Sequence, residues 1–235
     1  MLLVALSLLC SGLPVERAQR LLERAYAAHP FNERLMLGRR AQLGEQMIFR
    51  PSAVASPIES ELTYGELVDT ALQTSSLPRD RNVFVDVGSG CGRLVLASSV
   101  LWPELRRVAG VEKVQSLHAL ALSASEAITI PTGSPQPEFY CSDASDVLQQ
   151  SGALEEASVL FAYSSTFPSH GNMLSEFSRT CGQCLRVGTR IIVTDKQLQS
   201  NNSWGQFQLI DALEGRNAET GGTSVGYIYQ VTKSM

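Results

Sequence analysis

The residues best suited to chemistry lie in one stretch of the chain, Val83–Val87 and the glycine-rich segment after it. An apolar run that carries Asp86, followed by three glycines at alternate positions, predicts a buried strand, a tight turn and the start of a helix. The glycines are Gly88, Gly90 and Gly92. Glycine permits a positive φ angle and a close approach of the backbone to a ligand. The pattern therefore predicts a doubly wound α/β sheet that binds an adenosine-containing cofactor.

The details of this stretch favour S-adenosylmethionine over a dinucleotide. The glycines follow G-x-G-x-G, which is tighter than G-x-G-x-x-G and suits a ligand that has no pyrophosphate. Glu112 ends the next predicted strand, where a carboxylate can accept hydrogen bonds from both ribose hydroxyls. The alternative is an ordinary strand-to-helix turn in a protein that binds no nucleotide. We expect S-adenosylmethionine as the cofactor, and we predict no metal site.

Composition limits the classes of protein to which the chain can belong. The chain has 235 residues, of which 44% are hydrophobic and 18% charged, and this suits one α/β domain with an N-terminal extension. The net charge of −4 gives no overall attraction to nucleic acid or to an anionic membrane. The five cysteines are scattered, which favours a reducing compartment. Cys181 and Cys184 are interpreted as two thiols in the turn region before strand five, rather than as a redox or zinc pair.

The chain divides near residue 60 into an extension, 1–60, and a catalytic domain, 61–235. Residues 1–10 are an apolar run too short to span a bilayer, and residues 1–12 are a candidate targeting segment. Helices are expected at 15–29 and 32–46, and a loop at 50–60. The expected location is intracellular, in the nucleus or cytoplasm, with organelle targeting as the alternative.

Strands that alternate with helices indicate a mainly parallel sheet, and a final hairpin adds one antiparallel strand. This is the class I methyltransferase (Rossmann-like) architecture with seven strands, and its ligands bind at the carboxyl ends of the parallel strands. The strands are expected at 83–87, 107–111, 138–141, 158–163, 190–194, 207–210 and 225–232. The helices between them are expected at 93–101, 114–127, 143–150 and 173–184.

Two further segments are placed to contact the cofactor. Asp143 follows strand three, where its carboxylate can accept from an adenine amino group or cap the next helix. Tyr64, Gly65 and Glu66 are expected in a loop ahead of a helix at 65–75. Amides at that helix start suit a carboxylate, and Glu66 could meet an ammonium group. A plain helix start is the alternative.

The segment after strand four is expected to face the transferable methyl group. It is aromatic and weakly polar, and its candidate catalytic residues are Tyr163, Ser164 and Phe167. An apolar channel beside a sulfonium would lower the pKa of a lysine and release the free amine. Tyr227 on strand seven is the fourth candidate catalytic residue. Core packing of the aromatic residues is the alternative.

Four segments in chain order resemble the non-SET histone-lysine methyltransferases of the disruptor-of-telomeric-silencing type. They are Thr63–Glu66, Phe84–Gly92, Gly110–Lys113 and Val225–Tyr229. The resemblance covers about residues 60 to 233. It implies that Tyr227 lines a lysine channel and that the substrate is a protein, such as a histone. The cofactor residues that it implies are Tyr64, Gly65, Glu66, Asp86, Gly88, Glu112 and Asp143. Gly90, Gly92, Lys113 and Ala144 complete the expected cofactor site.

The chain also departs from that family. The family has paired asparagines after strand four where this chain has Tyr163 and Ser164, and an aromatic residue where it has Ala144. The acidic balance contrasts with the family's basic nucleosome-binding extension. The main expectation is therefore a protein-lysine methyltransferase without direct nucleic-acid binding. The alternatives are a class I methyltransferase for another protein, RNA or a small molecule, and a non-catalytic cofactor-binding module.

Overall fold

The computed structural model describes residues 15–30, 58–144, 146, 156–164, 167–216 and 223–235. Several sequence expectations lie outside these residues. They are the targeting run at 1–12, the second extension helix at 32–46, the first part of the loop at 50–60 and most of the helix at 143–150.

The strands of the described residues form one seven-stranded sheet. They are β1 (Val83–Val87), β2 (Arg107–Glu112), β3 (Pro137–Cys141), β4 (Val159–Ala162), β5 (Arg190–Thr194), β6 (Gly205–Arg216) and β7 (Thr223–Ser234). Their order is β3-β2-β1-β4-β5-β7-β6, with β1 to β5 parallel and β7 antiparallel to both of its neighbours. The predicted mainly parallel sheet with an antiparallel last strand is confirmed.

Helices cover both faces of the sheet. They are α1 (Val15–Ala25), α2 (Ile58–Thr74), α3 (Arg93–Leu101), α4 (Gln115–Ala127) and α5 (Ser175–Cys184). Helices α2 and α3 pack on the face that carries Phe84 and Ile192. Helix α5 packs on the opposite face, with Val85 and Ile191. Within the described ranges, none of the helices combines the length and apolar character of a membrane span.

Helix α2 begins seven residues before the predicted helix at 65–75. The predicted loop at 58–60 and the predicted loop at Tyr64–Glu66 are therefore wrong, because both segments are helical. Nothing in Ile58–Thr74 ends a helix: the stretch contains no proline and only one glycine, Gly65. Pro57 and Pro51 lie before it, and they made the preceding segment look like a longer loop.

The end of α2 is held by a buried arginine at the start of β5. The guanidinium of Arg190 donates from Nη2 to the carbonyl of Thr74 and from Nη1 to the carbonyl of Gly188 at 3.2 Å. Its Nε lies 3.3 Å from the Thr74 hydroxyl oxygen. A cation at a helix C-terminus satisfies carbonyls that have no partner within the helix and also opposes the helix dipole. Arg190 thereby fixes α2 against the sheet.

We expect Arg190→Met to lower the free energy of unfolding by about 1.5 to 3 kcal/mol, because the substitution removes a buried charged donor from the carbonyls of Thr74 and Gly188. Urea unfolding measures this change. Arg186→Met is the matched control, since exposed Arg186 also donates to a carbonyl, that of Glu156 at 3.0 Å. The control is expected to change stability by less than about 0.5 kcal/mol. Equal losses in the two variants would contradict the assigned role of Arg190.

Cys181 and Cys184 lie in the last turn of α5, within the helix predicted at 173–184 and just ahead of the turn region before β5. The helix crosses the start of β6 so closely that a Cβ on Gly182 would lie 2.4 Å from the carbonyl oxygen of Trp204. Cys181 is fully buried, and burial raises the pKa of its thiol. Its thiol is therefore held protonated, as befits a core residue.

Candidate cofactor site

The glycine-rich loop connects β1 to α3 at the carboxyl edge of the sheet. Gly88, Gly90 and Gly92 all have positive φ angles, of 76°, 55° and 81°. This conformation costs other residues free energy, and glycine adopts it readily. The amides of Gly88 and Ser89 donate to the carbonyl of Val111 at 2.8 and 3.0 Å. The loop is thus tied to the end of β2, where the second acidic residue follows.

Glu112 ends β2, and its carboxylate links the glycine loop to the segment that follows β2. Its Oε2 accepts from the amide of Gly90 and its Oε1 from the amide of Val114, each at 2.8 Å. Burial raises the pKa of Glu112, and the backbone hydrogen bonds oppose that rise. An ionised carboxylate offers about four acceptor positions, so both oxygens retain capacity for further donors. Glu112 can therefore accept two hydroxyl groups of a ribose while it holds the loop.

Asp86 lies beside Glu112 on the same face of the sheet. Strand register pairs Asp86 with Gly110, two residues before Glu112. Asp86 is only 4% exposed. Burial first, and then the charge of Glu112, raises the pKa of Asp86 from 3.8 to about 8. Without a cation nearby Asp86 is accordingly protonated at neutral pH, and a cation bound beside it would favour its ionised form.

We expect the affinity for S-adenosylmethionine to rise with pH below about 8, by up to about tenfold per unit. The physical reason is that the cationic ligand favours ionised Asp86, whereas burial and the charge of Glu112 favour the protonated form of this group. Above the pKa of Asp86, which is about 8, the affinity should level off. Titration calorimetry between about pH 6 and 9 measures the profile.

Asp86→Asn is the control for this pH dependence, because it keeps the shape of the side chain and removes the titrating proton. The α-ammonium of the ligand also titrates near pH 8, so the difference between the two proteins is the informative quantity. Parallel profiles for the wild type and Asp86→Asn would show that another group is responsible.

Asp143 and Lys113 lie at the same edge, after β3 and β2. The Nζ of Lys113 is 3.9 Å from an Oδ of Asp143, and both side chains are nearly half exposed. The amide of Ser142 donates to the carbonyl of Glu112 at 3.2 Å, which joins the two strand ends. Asp143 and the adjacent Ala144 are thus brought close to Glu112, as the sequence indicates. Their contact with adenine stays a prediction.

Tyr64, Gly65 and Glu66 are placed differently from the expectation. They lie within α2, beyond its first four residues, so their amides are hydrogen-bonded inside the helix. They cannot hold a carboxylate in the predicted manner. Glu66 is exposed, and the side chain of Tyr64 is outside the described part of the structure. The next residue, Leu67, packs directly on β7, where a Cβ on Gly226 would lie 2.4 Å from it.

The residues after β4 have distinct surroundings. Ser164 is fully buried, and its hydroxyl donates to the carbonyl of Thr194 at 2.7 Å and accepts from the amide of Thr194 at 3.1 Å. These bonds join the ends of β4 and β5, and they give Ser164 a structural role that the sequence did not indicate. Tyr163 is buried in the core on the α2 side of the sheet. A catalytic role for either side chain stays a prediction.

Phe167 and Tyr227 both pack on the α5 side of the sheet. A Cβ on Gly88 would lie 3.6 Å from the ring of Phe167, so this ring adjoins the glycine loop. The Nζ of Lys196 donates to the carbonyl of Phe167, and the ring packs edge-on against Phe177. Phe167 is therefore a candidate catalytic residue whose ring the structure places against the glycine loop.

Asp195 is a residue at this edge that the sequence analysis missed. It follows β5 and has a φ of 61°, in the left-handed region that few non-glycine residues adopt. Its amide donates to the carbonyl of Val225 at 2.8 Å, and its Oδ1 accepts from the amide of Val225 at 3.2 Å. A polar residue directly after a buried strand was the available signal. We call one part of the sheet edge the acceptor edge, because a methyl acceptor would bind there. It consists of Ser164, Phe167, Asp195, Lys196 and Tyr227.

Comparisons with known proteins agree with the architecture. No family model matches the chain, and no curated protein is significantly similar to it in sequence. HI0767 of Haemophilus influenzae, described as a methylase, superposes with a TM-score of 0.51 and 16% identity, covering 73% of this chain and 89% of HI0767.

The N-methyltransferase NodS of Bradyrhizobium japonicum superposes with a TM-score of 0.50 and 10% identity, covering 74% of this chain and 97% of NodS. At such identities the comparison concerns the fold alone. Together with the strand order and the antiparallel last strand, it shows that the chain has the fold of class I S-adenosylmethionine-dependent methyltransferases.

Proposed function

We propose that this chain is an S-adenosylmethionine-dependent methyltransferase. The observation that carries the proposal is the junction of a glycine loop with three positive φ angles and the buried carboxylate of Glu112. Both lie at the carboxyl edge of a parallel sheet, where ligands of such folds bind. This fold and loop geometry would suit nucleosides in general. The two buried acids, Asp86 and Glu112, favour a nucleoside that carries a positive charge.

The residues present fit this cofactor. Glu112 retains acceptor positions for two ribose hydroxyls, and Asp143 is exposed at the adjacent strand end for the adenine amino group. Asp86 would supply a negative charge once a cation displaces its proton. When bound, the cofactor supplies an electrophilic methyl group on a sulfonium. The chain's own contribution is to exclude water, hold this group in line with an acceptor and avoid a reorganisation cost.

The acceptor edge is where a substrate would meet the methyl group. Phe167 and Tyr227 offer it apolar rings, and the hydrogen bonds of Ser164 and Asp195 keep the strand ends rigid. We propose an acceptor outside the histone class. The Tyr64–Glu66 segment is helical and so does not form the loop that the sequence predicted beside the cofactor, and the net charge of −4 is unfavourable for binding a nucleosome. Another protein, an RNA or a small molecule would be compatible with these features.

The proposal is tested by supplying S-adenosylmethionine labelled on its methyl group together with cell lysate. The products are separated into protein, RNA and small-molecule fractions, with purified nucleosomes in a parallel reaction. Glu112→Gln is the inactive reference and Glu126→Gln, an exposed substitution on α4, the active one. Label that depends on Glu112 in one fraction would identify the acceptor class.

The other outcomes are also informative. Label on a nucleosomal lysine would support the hypothesis that a histone is the substrate and contradict the proposed acceptor class. Cofactor binding without label in any fraction would contradict methyl transfer and favour a non-catalytic binding module. Failure to bind S-adenosylmethionine would contradict the cofactor assignment itself.

A further inference from the structure

The N-terminal helix α1 reaches the back of the glycine loop. The hydroxyl of Tyr26, in the turn that follows α1, donates to the carbonyl of Cys91 at 2.5 Å. Cys91 lies between Gly90 and Gly92, and Tyr26 is 65 positions earlier in the chain. A segment that the sequence assigns to an extension thus contacts the centre of the candidate cofactor loop.

Three further observations show that this contact is built into the core. Tyr26 is only 4% exposed, and the guanidinium of Arg93 lies 5.3 Å from the centre of its ring, within the range of a cation–π interaction. The side chain of Cys91 is fully buried in a cluster shared with Leu22 and Ala25 of α1. The loop is therefore held from behind by packing, by a hydrogen bond and by a charge over the ring.

The backbone groups on either side of the Cys91 carbonyl also have hydrogen-bond partners. The amide of Gly90 donates to Glu112, and the amide of Gly92 donates to the carbonyl of Ser89 at 2.9 Å. The carbonyl of Cys91 is the group between them, and Tyr26 supplies its donor. Three glycines make a loop with unusually large conformational freedom, which must be lost before a ligand can bind. Because the carbonyl of Cys91 is already fixed, less conformational entropy is lost when a ligand binds.

We propose that Tyr26 is a positioning residue for the cofactor site: its hydroxyl holds Cys91 so that the glycine loop is already in its binding conformation. The inference rests on the proposed function, because it assumes that the loop binds S-adenosylmethionine. It goes beyond that function by making α1 part of the cofactor site.

Tyr26→Phe tests the proposal, because it removes the hydroxyl and keeps the ring under Arg93. His29→Ala is the control from the same turn: His29 Nε2 forms a 3.1 Å hydrogen bond with the hydroxyl of Ser123 on α4. Calorimetry gives the dissociation constant for S-adenosylmethionine, and thermal unfolding gives the stability of each protein. Hydrogen exchange reports the amides of Gly90, Cys91 and Gly92 in the empty proteins.

We expect Tyr26→Phe to raise the dissociation constant about three- to tenfold, the value of one hydrogen bond. Amide exchange of the loop should accelerate while the strands stay protected. His29→Ala should change the dissociation constant by less than about twofold, even where its stability falls equally.

Wild-type affinity in folded Tyr26→Phe would overturn the proposal and leave the proposed function intact. Equal weakening in both variants would also overturn it, since general destabilisation would then account for the loss. A wild type that does not bind S-adenosylmethionine would instead contradict the proposed function.

Discussion

Replacing Glu112 with glutamine is expected to weaken binding of S-adenosylmethionine about ten- to a hundredfold, which corresponds to about 1.4 to 2.8 kcal/mol. The carboxylate accepts a hydrogen bond at each oxygen, from the amide of Gly90 and from the amide of Val114. A glutamine presents an NH₂ group to one of those amides, so a donor faces a donor. It also removes the charge that strengthens hydrogen bonds to the ribose hydroxyls. Calorimetry with the purified variant measures the change.

The control for Glu112→Gln is Glu126→Gln, which removes an equal charge from an exposed position. It should bind the cofactor as the wild type does. Circular dichroism and thermal unfolding establish that both variants are folded. If folded Glu112→Gln bound S-adenosylmethionine with wild-type affinity, the ribose would be held elsewhere and the site would be wrongly placed.

Replacing Gly92 with alanine is expected to lower the free energy of unfolding by about 2 to 5 kcal/mol. The φ of Gly92 is 81°, which strains any residue with a Cβ. That Cβ would also lie 2.6 Å from the ring of Phe139 and 2.8 Å from the Cβ of Ala121. The ring can shift, but the Cβ of Ala121 moves only with the backbone of α4. Urea unfolding of the purified variant measures the loss.

Gly133→Ala separates strain from overpacking. Gly133 has a φ of 91°, and a Cβ there would meet no heavy atom within 4 Å. Its expected cost is therefore the backbone strain alone, about 1 kcal/mol. A loss at Gly92 no larger than the loss at Gly133 would mean that the contacts with Phe139 and Ala121 relax without cost.

The centre of the fold was predictable from the sequence, because its strands are buried on both faces. β1, α3 and β5 have the bounds that their apolar runs predicted. The edge strand β6 was predicted at 207–210 but spans Gly205–Arg216. Polar residues occupy exposed positions of β6, so its sequence lacks the apolar run that predicts a strand. Its backbone nevertheless pairs with β7 along its length.

The candidate site was predictable where it depends on local pattern and not where it depends on distant contacts. The loop glycines and Glu112 follow a spacing that local geometry imposes, and they lie together as expected. The start of α2 was missed, since two prolines precede it. The bond between Ser164 and Thr194 and the contact of Tyr26 with Cys91 join residues 30 and 65 positions apart. Such pairs leave no periodic trace in a single sequence.

The most direct test of the central claim is a calorimetric titration of the wild-type protein with S-adenosylmethionine, S-adenosylhomocysteine and NAD⁺ in turn. We predict that the two adenosyl amino acids bind at one site per chain and that NAD⁺ does not compete for it, because the G-x-G-x-G spacing suits a ligand without a pyrophosphate. Binding of NAD⁺ in preference to S-adenosylmethionine, or no binding of any of the three, would contradict it.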